Sequence, residues 1–600
     1  MSKHSNINTL RNLVNNFLID CVSANYPDLE KSNINPILQV ATRPDFGDYQ
    51  ANCAMPLAKQ LRSNPREIAN SIVNKIIELN QEAKIFSKLE VAGPGFINLW
   101  LDNEFLSNNI KKLLERTKLG IDVTQGNGKK VVIDYSSPNV AKEMHIGHLR
   151  STIIGDAFAR ILSFLGYDVI RQNHLGDWGT QFGMLIQYLI EHTKDKELQE
   201  RQISDLNFLY KESKKLFDED SEFATRARQR VVLLQQGDTA TLNFWNEIVN
   251  NSVQYFQKIY SDLGVLLTQD DVKGESFYND FLKNIVDKLD ALGLVKVSDG
   301  AKVVFLEGFE TKEKKPLPFM IQKSDGGFLY ATTDLAAANY RITDLNADRI
   351  IYVTDARQKQ HFEMLFEVLH KANLGKNVRL DHVCFGAILG EDRKPFKTRS
   401  GETIRLALLI QEAKDRAYKL VTTKNHELSE SQKQEISEKV GIGALKYADL
   451  CNDKIKDYVF DWDKMLAFDG NTAPYLQNAY VRIQAIFRKL KINIDEILEK
   501  NLNTNIKLIS DNNNYEHNLV LSLLSFKEIV YDVAESLELH KLCNYLYNLA
   551  AIFHKFYENC SINKAPNEEI KISRLLLCYI TAETLKSGLD LLGIDVLDFM

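Results

Sequence analysis

The segment Ser136-Ser137-Pro138-Asn139-Val140-Ala141-Lys142-Glu143-Met144-His145-Ile146-Gly147-His148 sets two imidazoles, a lysine and a glycine close together. A β-branched run precedes it and a helical periodicity follows, so it falls where a helix N-terminus meets the end of a strand. Such a place binds anions through free backbone N–H groups and the helix dipole, and ring N–H groups with an ammonium suit a polyphosphate. Two other readings stay open at this point: plain helix caps, or half of a metal site for which no third ligand is obvious. A second polar and basic run is Gly390-Glu391-Asp392-Arg393-Lys394-Pro395-Phe396-Lys397-Thr398-Arg399-Ser400-Gly401. Glycine-flanked loops with several cations suit phosphate transfer in a site that closes and reopens, although alone such a run is an ordinary solvated loop. Gly126-Asn127-Gly128-Lys129 lacks the spacer and the hydroxyl of a P-loop and reads as a surface turn.

These residues need a scaffold. Lys129 to Tyr135 reads as a buried strand; Leu149, Ile153, Ala157, Ile161 and Leu165 then recur every four positions to Gly166, and Tyr167 to Arg171 reads as the next strand. A second unit has a strand from Arg349 to Val353, a helix with Phe362, Leu365, Phe366 and Leu369 on one face, and a strand from Val378 to Leu389. Two βαβ units predict a doubly wound, Rossmann-like parallel sheet with ligands beyond the carboxyl ends of its strands. The domains expected are an α+β unit over 1–120 with a turn at Ala92-Gly93-Pro94-Gly95, a core over 121–400 carrying a helical insertion at 180–265, a helical stem over 401–465, and an all-α bundle over 466–600.

Composition bounds the class. With 600 residues and 44% hydrophobic content, several cores can form. No apolar run is long enough to span a membrane and the N-terminus lacks a signal-peptide core, so a cytoplasmic location is expected. Cys21, Cys53, Cys384, Cys451, Cys543, Cys560 and Cys578 never form C-x-x-C and are expected to be reduced core residues. The net charge of −6 neither supports nor excludes RNA.

His145-Ile146-Gly147-His148 matches the HIGH signature of class I aminoacyl-tRNA synthetases, and Lys397-Thr398-Arg399-Ser400 resembles a degenerate KMSKS loop. The strings PNVAKEMHIGHLRSTIIGD, NHLGDWGTQFGM, DGGFLYATTDLAA and YVFDWDKMLAFDGNTAPYLQ are similar to arginyl-tRNA synthetases. The resemblance implies ATP, entering with Mg²⁺, contacted by His145 and His148, with Gly147 leaving room for the nucleoside. It implies L-arginine held by Asp134, Asn139, Tyr330, Asp334 and Gln358, where Asp134 replaces a glutamate found in some members. Phe396 stands where the loop's first lysine would be; Lys142 is expected to supply that cation, and a lysine at 396 to rescue part of its loss. A surface pair with Glu143 is the ordinary alternative for Lys142.

Planar guanidinium needs carboxylates and neutral acceptors, and Tyr330 and Asp334 share a face if their segment opens a helix. Otherwise Asp334 caps it. The tRNA(Arg) partner is implied at Phe96 and Asn98 of the N-terminal unit and at Tyr475 and Arg482 of the bundle, where Asn478 replaces a common tyrosine. Core or edge-strand roles are open for all four. No protein metal site is identified, and a monomer is expected. A synthetase for glutamate or cysteine, a small adenylyltransferase, or a silent tRNA-binding paralogue are the alternatives; an acidic substrate would need cations where Asp134 and Asp334 stand.

Overall fold

The computed structural model describes residues 8–115, 117–192, 205–394, 396, 404–501, 505–509 and 513–599. The N-terminal unit is an antiparallel sheet of β1 (Leu38–Val40), β2 (Tyr49–Ala51), β3 (Phe86–Ala92) and β4 (Phe96–Leu101) in the order β1-β2-β4-β3, with helices Leu10–Asn25 and Pro65–Ala83. Its β3–β4 hairpin turns at Gly93 and Gly95; the latter has φ +135°, and a Cβ there would meet Pro65 O at 2.9 Å.

The central sheet begins with β5 (Lys130–Asp134) and β6 (Asp168–Gln172), joined through helix Ile146–Phe164. Val131, Val132 and Ile133 have no exposure, as expected of a parallel strand covered on both faces. Helices Thr180–His192, Leu206–Glu219, Ser221–Gln235 and Thr239–Leu263 then form the insertion. An antiparallel sheet follows, β7 (Lys296–Ser298), β8 (Ala301–Glu310) and β9 (Pro316–Gln322), which the sequence reading did not mark. After helix Tyr330–Thr343 come β10 (Arg349–Asp355), helix Lys359–Lys371 and β11 (Arg379–Phe385). All four strands are parallel in the order β11-β10-β5-β6. The chain moves from β5 outward to β6 and returns to β10, so the topological switch lies between β5 and β10.

The single strand expected from Val378 to Leu389 breaks. At Gly386 a Cβ would meet Asp457 Oδ1 at 2.6 Å, and the chain leaves the sheet to form β12 (Ile388–Leu389), parallel to β13 (Tyr458–Val459). Helices Leu406–Lys424 and Glu430–Leu450 make the stem, and Ala473–Leu490, Tyr515–Ser536, His540–Asn559 and Glu568–Leu591 the main bundle. None of the seven cysteines forms a disulfide, but Cys384 and Cys451 are only half-buried, which corrects the expectation of seven core thiols. Among the described residues no helix is long and apolar enough to cross a membrane.

Candidate active site

Beyond β5 the backbone takes an uncommon path: Ser136, Ser137 and Ala141 have φ of 72°, 47° and 61°. Non-glycine residues hold such angles only when their surroundings over-determine them. Here Ser136 N donates to Ser151 Oγ at 2.9 Å, Ser137 N to Asn173 Oδ1 at 3.0 Å and Ala141 N to Ser252 Oγ at 3.0 Å. Ser136 Oγ also lies 2.8 Å from Tyr260 Oη. Ser252 and Tyr260 belong to the insertion helix Thr239–Leu263, so the insertion braces the loop that ends at His145.

The helix start shows the capping reading in its hydrogen bonds. Gly147 N donates to His145 Nδ1 at 3.0 Å, and His145 N donates to His148 Nδ1 at 3.0 Å. Accepting at Nδ1 puts the proton of each neutral ring on Nε2, which leaves two N–H donors for an anion. The rings lie 4.0 Å apart at 41°. Burial, with His145 beside it, lowers His148 to about 3. Desolvation lowers His145 as well, helped by Arg357 and Lys142. Both are therefore uncharged at neutral pH. Gly147 is required by this cap itself, since a Cβ would meet His145 Cε1 at 2.8 Å. The metal reading finds no support among the described residues, which contain no group of three or more His, Cys, Asp or Glu able to hold an ion.

Lys142 Nζ sits 4.4 Å above the ring of Tyr210, on insertion helix Leu206–Glu219. Glu143 is instead held by Arg405, 3.0 Å away, which overturns the Lys142–Glu143 surface pair. These groups line a cavity of about 470 Å³ with His145, His148 and Asn139. The segment that follows the second motif meets the first here: Ile146 N donates to Ile404 O at 3.0 Å and Leu406 N to Met144 O at 2.8 Å. Lys397, Thr398, Arg399 and Ser400 themselves lie outside the described residues. Phe396 stacks on Phe460 at 4.7 Å, and its N–H donates to Ile388 O at 3.1 Å. It anchors the loop's base in apolar packing, so a lysine at 396 cannot act as the expected rescue without undoing that anchor.

Across the switch point stand the acidic groups. Helix Tyr330–Thr343 begins at Tyr330, so Tyr330 and Asp334 share its face, and Asp334 accepts from His361 Nε2 at 2.7 Å. Asp334 is thus no cap. The ring of Tyr330, 64% exposed, lies 5.0 Å from that of His361. Asp134 is engaged within the chain: Oδ2 pairs with Arg341 Nη2 at 2.7 Å and Oδ1 accepts from Ser137 Oγ at 2.9 Å. Arg341 also donates from Nε to Gln172 Oε1 at 2.6 Å. Gln358 is exposed in the turn after β10, next to Arg357, whose guanidinium grips Asp355 at 2.8 and 2.9 Å. Asn139 is exposed at the start of the loop and bridges to Gly176.

Sequence reasoning missed Glu275, Asp177, Arg341, Arg357 and His361. Asp177 accepts from Ser276 N at 2.8 Å and Oγ at 2.6 Å, which seats Glu275 beside it. Burial, then Asp177 and Asp334, push Glu275 up to about 7. Only the GES turn and the acidic surplus could have marked it. Of the RNA candidates, Phe96 is half-buried at the start of β4, while Asn98 is 1% exposed and accepts from Gln50 Nε2 at 2.8 Å, leaving it no face for RNA. Tyr475 Oη lies 3.1 Å from His554 Nδ1 and its ring 5.5 Å from that of Tyr547; Arg482 is exposed and close enough to help lower His554, after burial.

Comparison with known proteins accounts for nearly the whole chain. The catalytic domain of class I (R) tRNA synthetases matches residues 109–462, the DALR anticodon binding domain 476–600, and the arginyl tRNA synthetase N-terminal domain 8–101. The arginine–tRNA ligase of Chromobacterium violaceum is 48% identical over 567 residues, 94% of this chain and 96% of that one. That of Haemophilus influenzae strain 86-028NP is 49% identical over 565 residues, 94% and 96% of the two chains. The crystal structure of arginyl-tRNA synthetase from Plasmodium falciparum shares 34% identity with a TM-score of 0.84, covering 99% of each chain. The Thermus thermophilus arginyl-tRNA synthetase has the same fold at 22% identity, with a TM-score of 0.78 over 98% of this chain and 100% of that one.

Proposed function

The chain belongs to the arginyl-tRNA synthetases, and from that premise we propose how its own residues perform the reaction. It is an arginine–tRNA ligase: it activates L-arginine with ATP and transfers arginine to the 3′-terminal adenosine of tRNA(Arg), releasing AMP and pyrophosphate. The arginine carboxylate attacks the α-phosphate, pyrophosphate leaves, and in the second step the terminal 2′-hydroxyl takes the acyl group while AMP departs.

The observation that carries the assignment of roles is the pair of imidazoles at the helix start whose Nδ1 atoms accept backbone N–H groups, leaving Nε2–H donors at a cavity they share with Lys142 and Asn139. His145 and His148 donate to the phosphates as uncharged dipoles, a preorganised arrangement that costs no rearrangement as charge builds. Lys142 and Arg357 add positive charge; Lys397 and Arg399, with Thr398 and Ser400 beside them, would close over the nucleotide. Mg²⁺ enters with ATP.

Asp334 and Glu275 bind the guanidinium, with Tyr330 over it and Asn139 and Gln358 placed for the α-amino and carboxylate groups. Asp134 acts through Arg341 and Ser137, setting the floor of the pocket. Lysine would leave the planar acceptor set partly unpaired, which supplies discrimination without an editing site. Tyr475, Arg482 and Phe96 contact tRNA. The deciding experiment is ATP–pyrophosphate exchange with each amino acid, with and without total tRNA. Arginine alone should support exchange; exchange with glutamate or cysteine, or none at all, would overturn the reading.

A further inference from the structure

Two residues beyond His148, the Arg150 guanidinium is 1% exposed and pairs through Nε with Asp449 Oδ2 at 2.9 Å; Asp449, also 1% exposed, lies in the stem helix Glu430–Leu450. Arg150 Nη1 donates to Gly386 O at 2.8 Å and Lys456 O at 3.3 Å. The guanidinium lies over the rings of Phe385 and Tyr458, 5.6 and 5.4 Å away. Three parts of the molecule thus meet on one side chain: the helix bearing the nucleotide-facing imidazoles, the β11–β12 junction that carries the basic loop, and the stem. The stem is itself tied to the bundle two residues before Asp449, where Tyr447 Oη contacts Asn471 Oδ1 at 2.6 Å and Cys543 O at 2.9 Å.

We propose that Arg150 is a positioning residue for adenylate formation, holding the His145–His148 helix in register with the base of the basic loop and making that register depend, through Asp449, on the stem that carries the RNA-binding bundle. The proposal rests on the functional reading above. Arg150 touches no substrate. The observation favouring a mechanical role over simple stabilisation is that its hydrogen bonds go to backbone carbonyls of two different segments, one of which, Gly386, cannot accept a Cβ. A buried pair is weak grounds for stability alone, because apolar residues of similar volume often replace it at no cost.

The test uses the full-length chain and reads four quantities: kcat for arginine-dependent pyrophosphate exchange, KM for arginine, tRNA affinity by filter binding, and melting temperature. Asp449→Asn and the apolar double variant Arg150→Met/Asp449→Leu should each lose about tenfold to a hundredfold in kcat, the scale for a misplaced reacting geometry. KM and tRNA affinity should stay within about threefold. The double variant keeps the test sound if Asp449→Asn does not fold. A double variant that folds and exchanges at the wild-type rate would overturn the proposal, as would variants whose loss lies only in melting temperature or tRNA affinity. Absence of exchange by the wild type with total tRNA present overturns the functional reading beneath it, and is seen before any variant is made.

Discussion

The two walls of the cleft handle charge in opposite ways. On the wall proposed for the nucleotide, the imidazoles of His145 and His148 are neutral, each fixed by donating backbone N–H groups at Nδ1, and the cations Lys142 and Arg357 sit on exposed or half-exposed side chains. On the wall proposed for the amino acid, charge is locked in buried or half-buried positions: Asp134 by Arg341, Asp334 by His361, Asp177 by Ser276. A phosphate brings its own charge and leaves as pyrophosphate, so dipoles and cations near the surface suffice and allow release. A guanidinium must be told from an ammonium, which requires acceptors that do not move. The proposed roles thereby put turnover and selectivity on different walls.

Losing a dipole on the nucleotide wall should have the largest effect. His148→Ala should lower kcat for pyrophosphate exchange by about 10²-fold to 10³-fold, the scale for one preorganised donor, with KM for arginine little changed. Lys142→Ala should fall in the same range, and Tyr210→Ala, which removes only the ring under the ammonium, by about tenfold at most. Equal losses for the Lys142 and Tyr210 variants would show that the ring matters more than the charge.

On the other wall the effect should move to binding. Asp334→Asn weakens one charge-assisted bond of about 1.5 to 3 kcal/mol, raising KM for arginine by about tenfold to 150-fold while kcat is spared. A kcat loss without a KM change would break the comparison.

Protonation separates the walls further. Glu275 is pushed up to about 7, so its charge is present above that pH and is lost as pH falls through it; KM for arginine should rise several-fold from pH 8 to 6, and Glu275→Gln should flatten the profile. His148, lowered to about 3 from an ordinary 6.5, stays neutral over that range. Its sign for stability is the reverse of a salt-bridged histidine: below about 6.5 the unfolded chain takes a proton that the folded one refuses, so folding is penalised increasingly until about 3. Nitrogen-15 NMR of labelled histidine should find His148 as the neutral Nε2–H tautomer at pH 6, and an imidazolium signal there would contradict the neutral wall.

The smallest effect concerns the loop's base. Phe396→Lys removes a half-buried ring stacked on Phe460 and should cost about 1 to 2 kcal/mol, visible as a lower melting temperature. Combined with Lys142→Ala it should restore no exchange activity. A rescue would mean that the side chain at 396 can swing from the apolar base toward the phosphates.

The sequence by itself determined the repeating elements and the chemistry they end in. Four-residue periodicity from Leu149 to Leu165 and the β-branched run before Asp134 depend only on near neighbours, so the strand, the helix and the His145–His148 start between them were legible. The pairing of Tyr330 with Asp334 followed for the same reason. What tertiary structure decided were relations between distant segments. Arg341 taking Asp134, Arg405 taking Glu143, Tyr210 lying under Lys142 and Ser276 seating Glu275 beside Asp177 span separations that no local pattern encodes. The small sheet β7 to β9 and the break at Gly386 were invisible likewise, because a strand's identity depends on the partner it finds and a glycine's necessity on the atom that approaches it. Residue types name the chemistry that is possible; which charge is neutralised inside the chain and which is left for substrate is settled only when the segments pack.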